Sequence, residues 1–420
     1  MKETKSTWID SVKSNTASNH LTKDISVDIA IIGAGITGIT TAYLLSKLGK
    51  KVLLIDKGDL DDSATAYTTA FLTYEIDTDI PDLIKSIGVK KSKAVWQSHN
   101  EAINLIEKIV TEEKIDCEFT RCDEYITATS EDEKKYLKEM LNAAKKIDFH
   151  LTIKDKNLPL FSSYGLLTIP NQAKFHPLKY CNALVKRAKD NGVTVVNNTE
   201  VTKLSKGTPN ILQTNRGEIT ADNVVIATYD PFNSPAKLFA HKGMYTSYVY
   251  EIEIDKGSIA EGLYMDQANP YHYFRIDKGE KKDRMILGGE DHRHEIPIDP
   301  EKNYHVLEKY LETLLPRDSY TIVKKWRGPI LEPSDGLAYI GKLYEKENVY
   351  VAMGFSGNGM TYAHIAAQMF TDFIEKKKNM YEEIYEPGRI PTFKQILQKG
   401  IDYSEEFFGG AVKNTFVKES

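Results

Sequence analysis

The chain has 420 residues, too many for one simple core, so two domains are expected. With 41% hydrophobic and 27% charged residues and a formal net charge of -5, it has an ordinary soluble balance. It lacks the clustered basic face a nucleic-acid partner would require. The three cysteines, Cys117, Cys122 and Cys181, are too few for a disulfide or metal framework. They suit small buried thiols in a reducing, cytoplasmic compartment.

Residues 1–26 read as a polar leader with no signal-peptide apolar run, anchored by one large side chain, Trp8. The organising stretch follows, VDIAIIGAGITGITTAYLLSKLGKKVLLID, from Val27 to Asp56. Val27 to Ile32 is a nearly continuous apolar run, as a buried parallel strand requires. Gly33, Gly35 and Gly38 then form GxGxxG, and Ile36 to Leu48 is apolar at helical spacing until Gly49. Lys51 to Ile55 is a second strand, closed by Asp56. In a dinucleotide site the first glycine permits the tight turn and the second admits a pyrophosphate. The third lets helix and strand pack closely. The helix N-terminus offers unpaired N–H groups to phosphate. Asp56 suits an adenosine ribose and argues against a 2′-phosphate. The alternative is a βαβ unit whose glycines serve packing alone. The glycines and threonines in Ile29–Leu45 argue against a membrane span.

The small and hydroxylated residues of GDLDDSATAYTTAFLT suit a backbone passing close to a ligand, or a loop before a helix. Pro81 marks a first helical turn, and Asp82 to Ile109 reads as two helices or one broken near Gly88. Cys117 to Ala128 reads as strand, and Glu131 to Ile147 as an amphipathic helix. A strand and turn cover Leu166 to Asn171. QAKFHP is read as irregular before a helix from Leu178 to Lys189. Val193 to Val196 is a strand, Val201 to Asn215 a hairpin, and VVIAT a strand with a sharp exit at Ala227 and Thr228. From Gly243 to Glu295 four strands rich in aromatic and β-branched residues form a sheet of different character, the expected substrate side. Tyr304 to Leu315 is a helix, and residues 320–341 are read as turn-rich. Val349 to Met353, GFSGNGM and a helix from Thr361 give a second strand–glycine turn–helix.

Taken in order, VDIAIIGAGITG, VVIAT, DGLAYIG and GFSGNGM resemble the D-amino-acid oxidase-like superfamily of FAD-dependent oxidoreductases, which includes glycine and sarcosine oxidases. IDCEF, PNQAKFHPLKY, GGEDH and DGLAYIG are similar to a bacterial branch often fused to a C-terminal Rieske iron–sulfur domain. The resemblance implies an α/β fold (α+β overall), with a Rossmann-like FAD-binding domain interleaved with an antiparallel-sheet substrate domain. Segments 27–85, 150–240 and 320–375 are assigned to the first, 86–149 and 241–319 to the second, and 376–420 to a C-terminal tail. FAD would be held by Gly33, Gly35, Gly38 and Asp56, with Ile36 and Thr37 at the helix start and Lys57 after the strand. Thr68, Thr69 and Ala70 match the small stretch near the flavin, with Val201, Ala227 and Thr228 beside it. Gly354, Gly357, Asn358, Gly359 and Met360 match the C-terminal flavin turn.

Some sarcosine-oxidase-like relatives tether the flavin through a cysteine near that turn. None stands there, so non-covalent FAD is expected. Amino-acid oxidases of the superfamily place a carboxylate-binding arginine before the DG turn. In WRGPILEP, Arg327 is too early and Glu332 is near that place. Arg275 in YHYFRI is the substitute anion binder, or else a structural salt bridge. Strand alternation puts Tyr271, Tyr273 and Arg275 on one face and His272 on the other. Tyr273 and His176 complete the catalytic candidates, His176 orienting substrate or flavin or else packing. His364 is read as structural or facing the flavin, and no metal is assigned to His292 and His294. A Rieske centre needs two cysteines and two histidines, and no cysteine follows Cys181. An electron-accepting protein or a quinone is therefore a separate expected partner, besides a small-molecule amine or amino-acid-like substrate.

Overall fold

The structure, a computed structural model, describes residues 2–12, 19–59, 62–156, 164–230, 242–343 and 348–389. The aromatic stretch FFGGAVKNTF of the tail lies outside the described residues.

Two sheets organise them. In the first, Ile25–Ile32 runs parallel to Val52–Ile55 on one side and to Gly217–Ile226 on the other. Thr194–Val196 and Val349–Met353 extend this parallel core outward, and Tyr339–Lys342 closes one edge antiparallel. Helices Ile36–Ser46, Pro177–Asp190 and Gly359–Ile374 pack together over it. Both faces of the central strands are covered, so Val52–Ile55 is apolar at every position. A hairpin, Val201–Ser205 with Asn210–Thr214, hangs from Gly217–Ile226, as the sequence predicts.

The second sheet has nine strands. Its main order is Tyr320–Pro333, Lys242–Asp255, Lys282–Arg293, His272–Asp277, Gly262–Met265, Thr120–Ala128, Gly165–Lys174 and Phe71–Leu72. All these neighbours are antiparallel except Gly262–Met265 with Thr120–Ala128. Helix Pro300–Leu314 covers one face, setting Tyr304, Leu307 and Leu311 against Tyr248, Phe274 and Leu287. Full burial of each such leucine contributes about 1.5–3 kcal/mol. An α/β fold with a Rossmann-like sheet and a separate antiparallel substrate-side sheet is therefore observed.

Several local expectations change. WRGPILEP is not turn-rich but part of the 14-residue strand Tyr320–Pro333. That strand is the sheet edge, where the missing N–H of Pro329 costs no ladder bond. QAK belongs to the strand Gly165–Lys174, not to an irregular stretch. These two strands fall within segments assigned to the cofactor-binding part, yet pair in the second sheet. Ile80–Glu112 is continuous helix except at Gly88, whose φ of 79° marks the break.

The leader is docked by more than Trp8. Thr7–Asp10 forms one helical turn, and the Thr4 N–H donates to the Lys325 carbonyl at 2.9 Å. Arg327 pairs with Glu3, and Lys324 with Asp10.

His272 lies opposite the Tyr273 face, as the alternation predicts. Its Nδ1 meets Asp266 Oδ2 at 2.7 Å, its Nε2 meets Glu290 Oε1 at 2.9 Å, and Tyr310 stacks on the ring. Burial opposes its charge, but the bonds to Asp266 and Glu290 outweigh it and lift the pKa to about 9. A raised folded pKa contributes stability that is full below the unfolded value, roughly 6.5, and fades as pH rises toward 9. The urea-stability difference between wild type and His272→Gln should therefore shrink from pH 6 to pH 9.5, by at most about 3 kcal/mol. A difference that does not change with pH would show that His272 carries no such charge.

Candidate active site

One cavity of about 820 Å³ runs from the glycine turn of the first sheet to the inward face of the second. Its nucleotide end is built by backbone. The Gly33 N–H donates to the Ile55 carbonyl at 2.8 Å, and the Ala227 N–H to the Ile32 carbonyl at 2.8 Å, so three strand ends converge. Gly33 has a φ of 104°, and a Cβ there would meet the Ala227 oxygen at 2.3 Å. A Cβ on Gly38 would meet the Gly33 oxygen at 1.8 Å. These two glycines are demanded by packing. Gly35 differs: a Cβ there finds nothing nearer than Thr65 Oγ1 at 3.4 Å, so only the cavity stands before it.

Asp56 lines this end, but its carboxylate is already engaged. Oδ2 accepts from the Ala34 N–H at 2.5 Å and Oδ1 from the Gly58 N–H at 2.9 Å. Burial raises its pKa against these two bonds. It thus organises the glycine turn as well as lining the cavity. Lys57 and Val201 also line the cavity, as do Ile36 and Thr37 at the helix start. Thr65 accepts from the Ile36 N–H at 3.0 Å, a link the sequence did not flag.

Ala227 and Thr228 line the cavity beside Gly33, and at the other end the wall is made by Thr68 and Thr69 and by the turn Gly354, Gly357, Gly359 and Met360. Three expected members do not line the cavity. Gly38 sits in the helix–strand contact, and Ala70, buried with a φ of 60°, supports the loop from below. Asn358 is a tie. Its Oδ1 accepts from the Asp77 N–H at 3.0 Å, and its Nδ2 donates to Thr73 Oγ1 and the Glu75 carbonyl.

The second sheet contributes Tyr273, Ser247 and Val249, and its edge strand adds Gly328, Pro329 and Ile330. Tyr273 Oη and Ser247 Oγ are 3.0 Å apart, and burial pushes the Tyr273 hydroxyl pKa up. Gly288 makes room for that ring: a Cβ there would meet Tyr273 Cζ at 2.4 Å. Sequence reasoning missed Ser247 and the GPI stretch. Only the edge-strand pairing of Tyr320–Pro333 with Lys242–Asp255 brings them to the cavity.

Arg275 is not the free anion clamp expected. It is 1% exposed and does not line the cavity. Its Nε and Nη2 meet Asp277 Oδ1 at 3.0 and 2.8 Å. Its Nη1 reaches the carbonyls of Thr69, Ala70 and Phe175 at 3.0–3.2 Å. The fork is spent on the loop, leaving none for a substrate carboxylate. His176 is likewise a capping residue. Its Nδ1 accepts from the Lys179 N–H at 3.2 Å, its Nε2 meets Ser11 Oγ at 2.6 Å, and Trp8 packs on its ring edge. His364 bridges the Met360 carbonyl and Tyr180 Oη, each at 2.8 Å, away from the cavity. Among the described residues no group of three or more metal-binding side chains occurs.

A parallel nucleotide-binding sheet and a large antiparallel sheet that share one cavity define a two-domain, dinucleotide-dependent oxidoreductase. The chain belongs to the FAD dependent oxidoreductase family (DAO), which matches residues 28–373. It is 30% identical over 407 residues to the putative Rieske 2Fe-2S iron-sulfur protein YhfW of Bacillus subtilis strain 168, covering 95% of this chain and 79% of that one. It is 21% identical over 369 residues to the gamma-glutamylputrescine oxidoreductase of Escherichia coli strain K12, covering 84% and 85%. Its fold is similar to that of the glycine oxidase from Geobacillus kaustophilus, with a TM-score of 0.74 at 18% identity over 87% of this chain and 99% of that one. The L-proline dehydrogenase from P. horikoshii gives a TM-score of 0.72 at 19% identity, over 86% and 97%.

The cavity fits FAD on its own terms. The open space before Gly35, the helix N-terminus at Ile36 and the glycine turn at 354–359 are what two phosphates and a flat ring require. No cysteine lines it, and Cys117, Cys122 and Cys181 are free thiols elsewhere. Acid precipitation of the purified protein should therefore release the yellow chromophore into the supernatant. Flavin fluorescence fixed to the denatured band on a gel would contradict this.

Proposed function

We propose that this protein oxidises a small amine that is cationic in solution, the nitrogen giving up its proton to solvent and the carbon that bears it then losing hydride to leave an iminium, with FAD held non-covalently. One observation carries the substrate class. At the flavin end of the cavity the described lining includes no arginine or lysine, and a buried carboxyl, Asp291, stands behind the lining residue Ser247. Asp291 Oδ1 is buried without a hydrogen-bond partner among the described residues. Burial raises the Asp291 pKa to about 7; Ser247 opposes this, and Glu332, Asp77 and Glu290 add to it. A cation placed there would relieve that crowding, whereas a substrate carboxylate would worsen it.

Bound in this cavity, FAD supplies the hydride acceptor. Tyr273 and Ser247, which line the cavity, would orient the substrate's polar end, and Asp291 behind Ser247 would favour its positive charge through the field it sets up there. Val249, Pro329 and Ile330 exclude water from the reacting carbon. The gamma-glutamylputrescine oxidoreductase, by its name, acts on a substituted amine, which supports the amine class in general. The likeness to the YhfW protein, named for a Rieske centre, supports the Rieske-associated branch. A separate protein or a quinone is the proposed one-electron acceptor. The three free thiols support a cytoplasmic location, and among the described residues no helix is long and apolar enough to cross a membrane.

The test is anaerobic mixing with a panel of mono- and diamines and of amino acids, followed by flavin bleaching. Amines should bleach the flavin faster than amino acids of equal size. Bleaching by amino acids alone, or by nothing in the panel, would defeat the reading. Stopped-flow reoxidation of the bleached enzyme by oxygen and by a one-electron acceptor then decides the acceptor.

A further inference from the structure

The loop Ala66–Ala70 is held by its carbonyls in an unbroken run. Ser6 Oγ donates to the Ala66 carbonyl. Trp326 Nε1 donates to the Tyr67 carbonyl at 3.1 Å, and Trp8 Nε1 to the Thr68 carbonyl at 2.6 Å. Arg275 Nη1 takes the Thr69 and Ala70 carbonyls at 3.1 and 3.2 Å. Thr68 and Thr69 line the cavity, and none of these four donor residues does. The carbonyls are therefore drawn toward the side away from the cavity. In a trans peptide the N–H points opposite to the C=O. The Thr68–Thr69 peptide, pulled back by Trp8, thus turns the Thr69 N–H toward the cavity, and no protein group among the described residues accepts from it.

We propose that Ser6 and Trp8 of the N-terminal segment are positioning residues for the flavin. They clasp this loop from behind and aim the Thr69 amide at the bound ring, an inference that rests on the FAD reading above. The clasp is built rather than incidental. Trp8 is 0% exposed, and its ring lies 5.3 Å from both the Arg275 and the Arg284 guanidinium carbons. Thr7 donates to Glu251 at 3.2 Å, and Ser11 Oγ to the Trp8 carbonyl at 2.9 Å, so the segment is pinned on both sides of the tryptophan. A loop left to itself would sample other peptide orientations, and an amide that must be turned at binding weakens affinity.

Trp8→Phe removes the indole N–H and retains a ring between the two guanidinium groups. FAD titration of flavin-free protein should show affinity about three- to tenfold weaker than wild type. The absorption envelope of the bound flavin should shift as well, which a remote structural defect would not cause. Ser6→Ala should act in the same direction, and Lys85→Ala, which removes only a surface ion pair with Asp82, should leave both readouts at wild-type values. Wild-type affinity and spectrum in Trp8→Phe would overturn the inference. Should Trp8→Phe not fold, the same result in Ser6→Ala overturns it. A wild-type chain that takes up no FAD would overturn the functional reading and this inference together.

Discussion

Replacing Gly35 by valine should leave a folded chain that carries almost no FAD. Gly35 has φ −74° and ψ −178°, an extended conformation open to any residue. Its added Cβ would meet Thr65 Oγ1 and Ser63 Cβ at ordinary contact distances of 3.4 and 3.9 Å. A Cβ is therefore accommodated there, and the space beyond it is the cavity, where a pyrophosphate would compete with the valine methyls. Flavin content after purification should fall from about one per chain to a small fraction, with little change in thermal unfolding of the flavin-free form. Gly33 and Gly38 could not serve this test. A Cβ at either collides with backbone, so loss of flavin would be inseparable from loss of fold. A Gly35→Val protein with full flavin content would sink the nucleotide assignment.

Arg275→Met should be costlier still, through stability rather than substrate affinity. The guanidinium is shared between Asp277 and three carbonyls, all in the interior. Burial alone would raise the Asp277 pKa, but Arg275, Arg284 and Lys174 together hold it far below the usual carboxylate range. Removing one cation leaves that buried carboxylate undercompensated and three carbonyls short of a donor. Breaking a buried pair in this way costs about 3–5 kcal/mol. Urea unfolding should show the loss, and flavin content should drop with it because the Thr69 and Ala70 carbonyls are freed. A variant as stable as wild type and full of flavin, with only its KM for an anionic substrate raised, would restore the clamp role.

The nucleotide half was legible because its requirements are local. Strand, turn, helix and acid follow one another from Val27 to Asp56, and each residue's role depends on neighbours in the chain. Gly33, Gly35, Ile36, Thr37, Asp56 and Lys57 all line one cavity. The substrate half was legible in class but not in residues. Alternation placed Tyr273 and Arg275 on one strand face correctly, yet it could not say which of them reaches open space. An arginine among aromatics has the same sequence signature whether its fork is empty or filled. It is filled by carbonyls one hundred and more than two hundred positions upstream, which no spacing rule registers.

The amino-acid order by itself thus determined that a βαβ unit with a glycine-rich turn would form, that a strand-rich sheet would accompany it, and that no cysteine would stand at the C-terminal glycine turn. Hydrophobic periodicity and turn chemistry act over a few residues, and that is enough for such statements. Tertiary structure alone decided the rest. It made WRGPILEP an edge strand, where proline loses nothing, and so carried Pro329 and Ile330 to the cavity. It turned His176 into a helix cap and Arg275 into a brace. It also brought Trp8, near the chain's start, to the back of a loop 60 residues further on. A hydrogen bond between distant segments depends on where both are held by everything packed around them, and neither segment's own sequence contains that information.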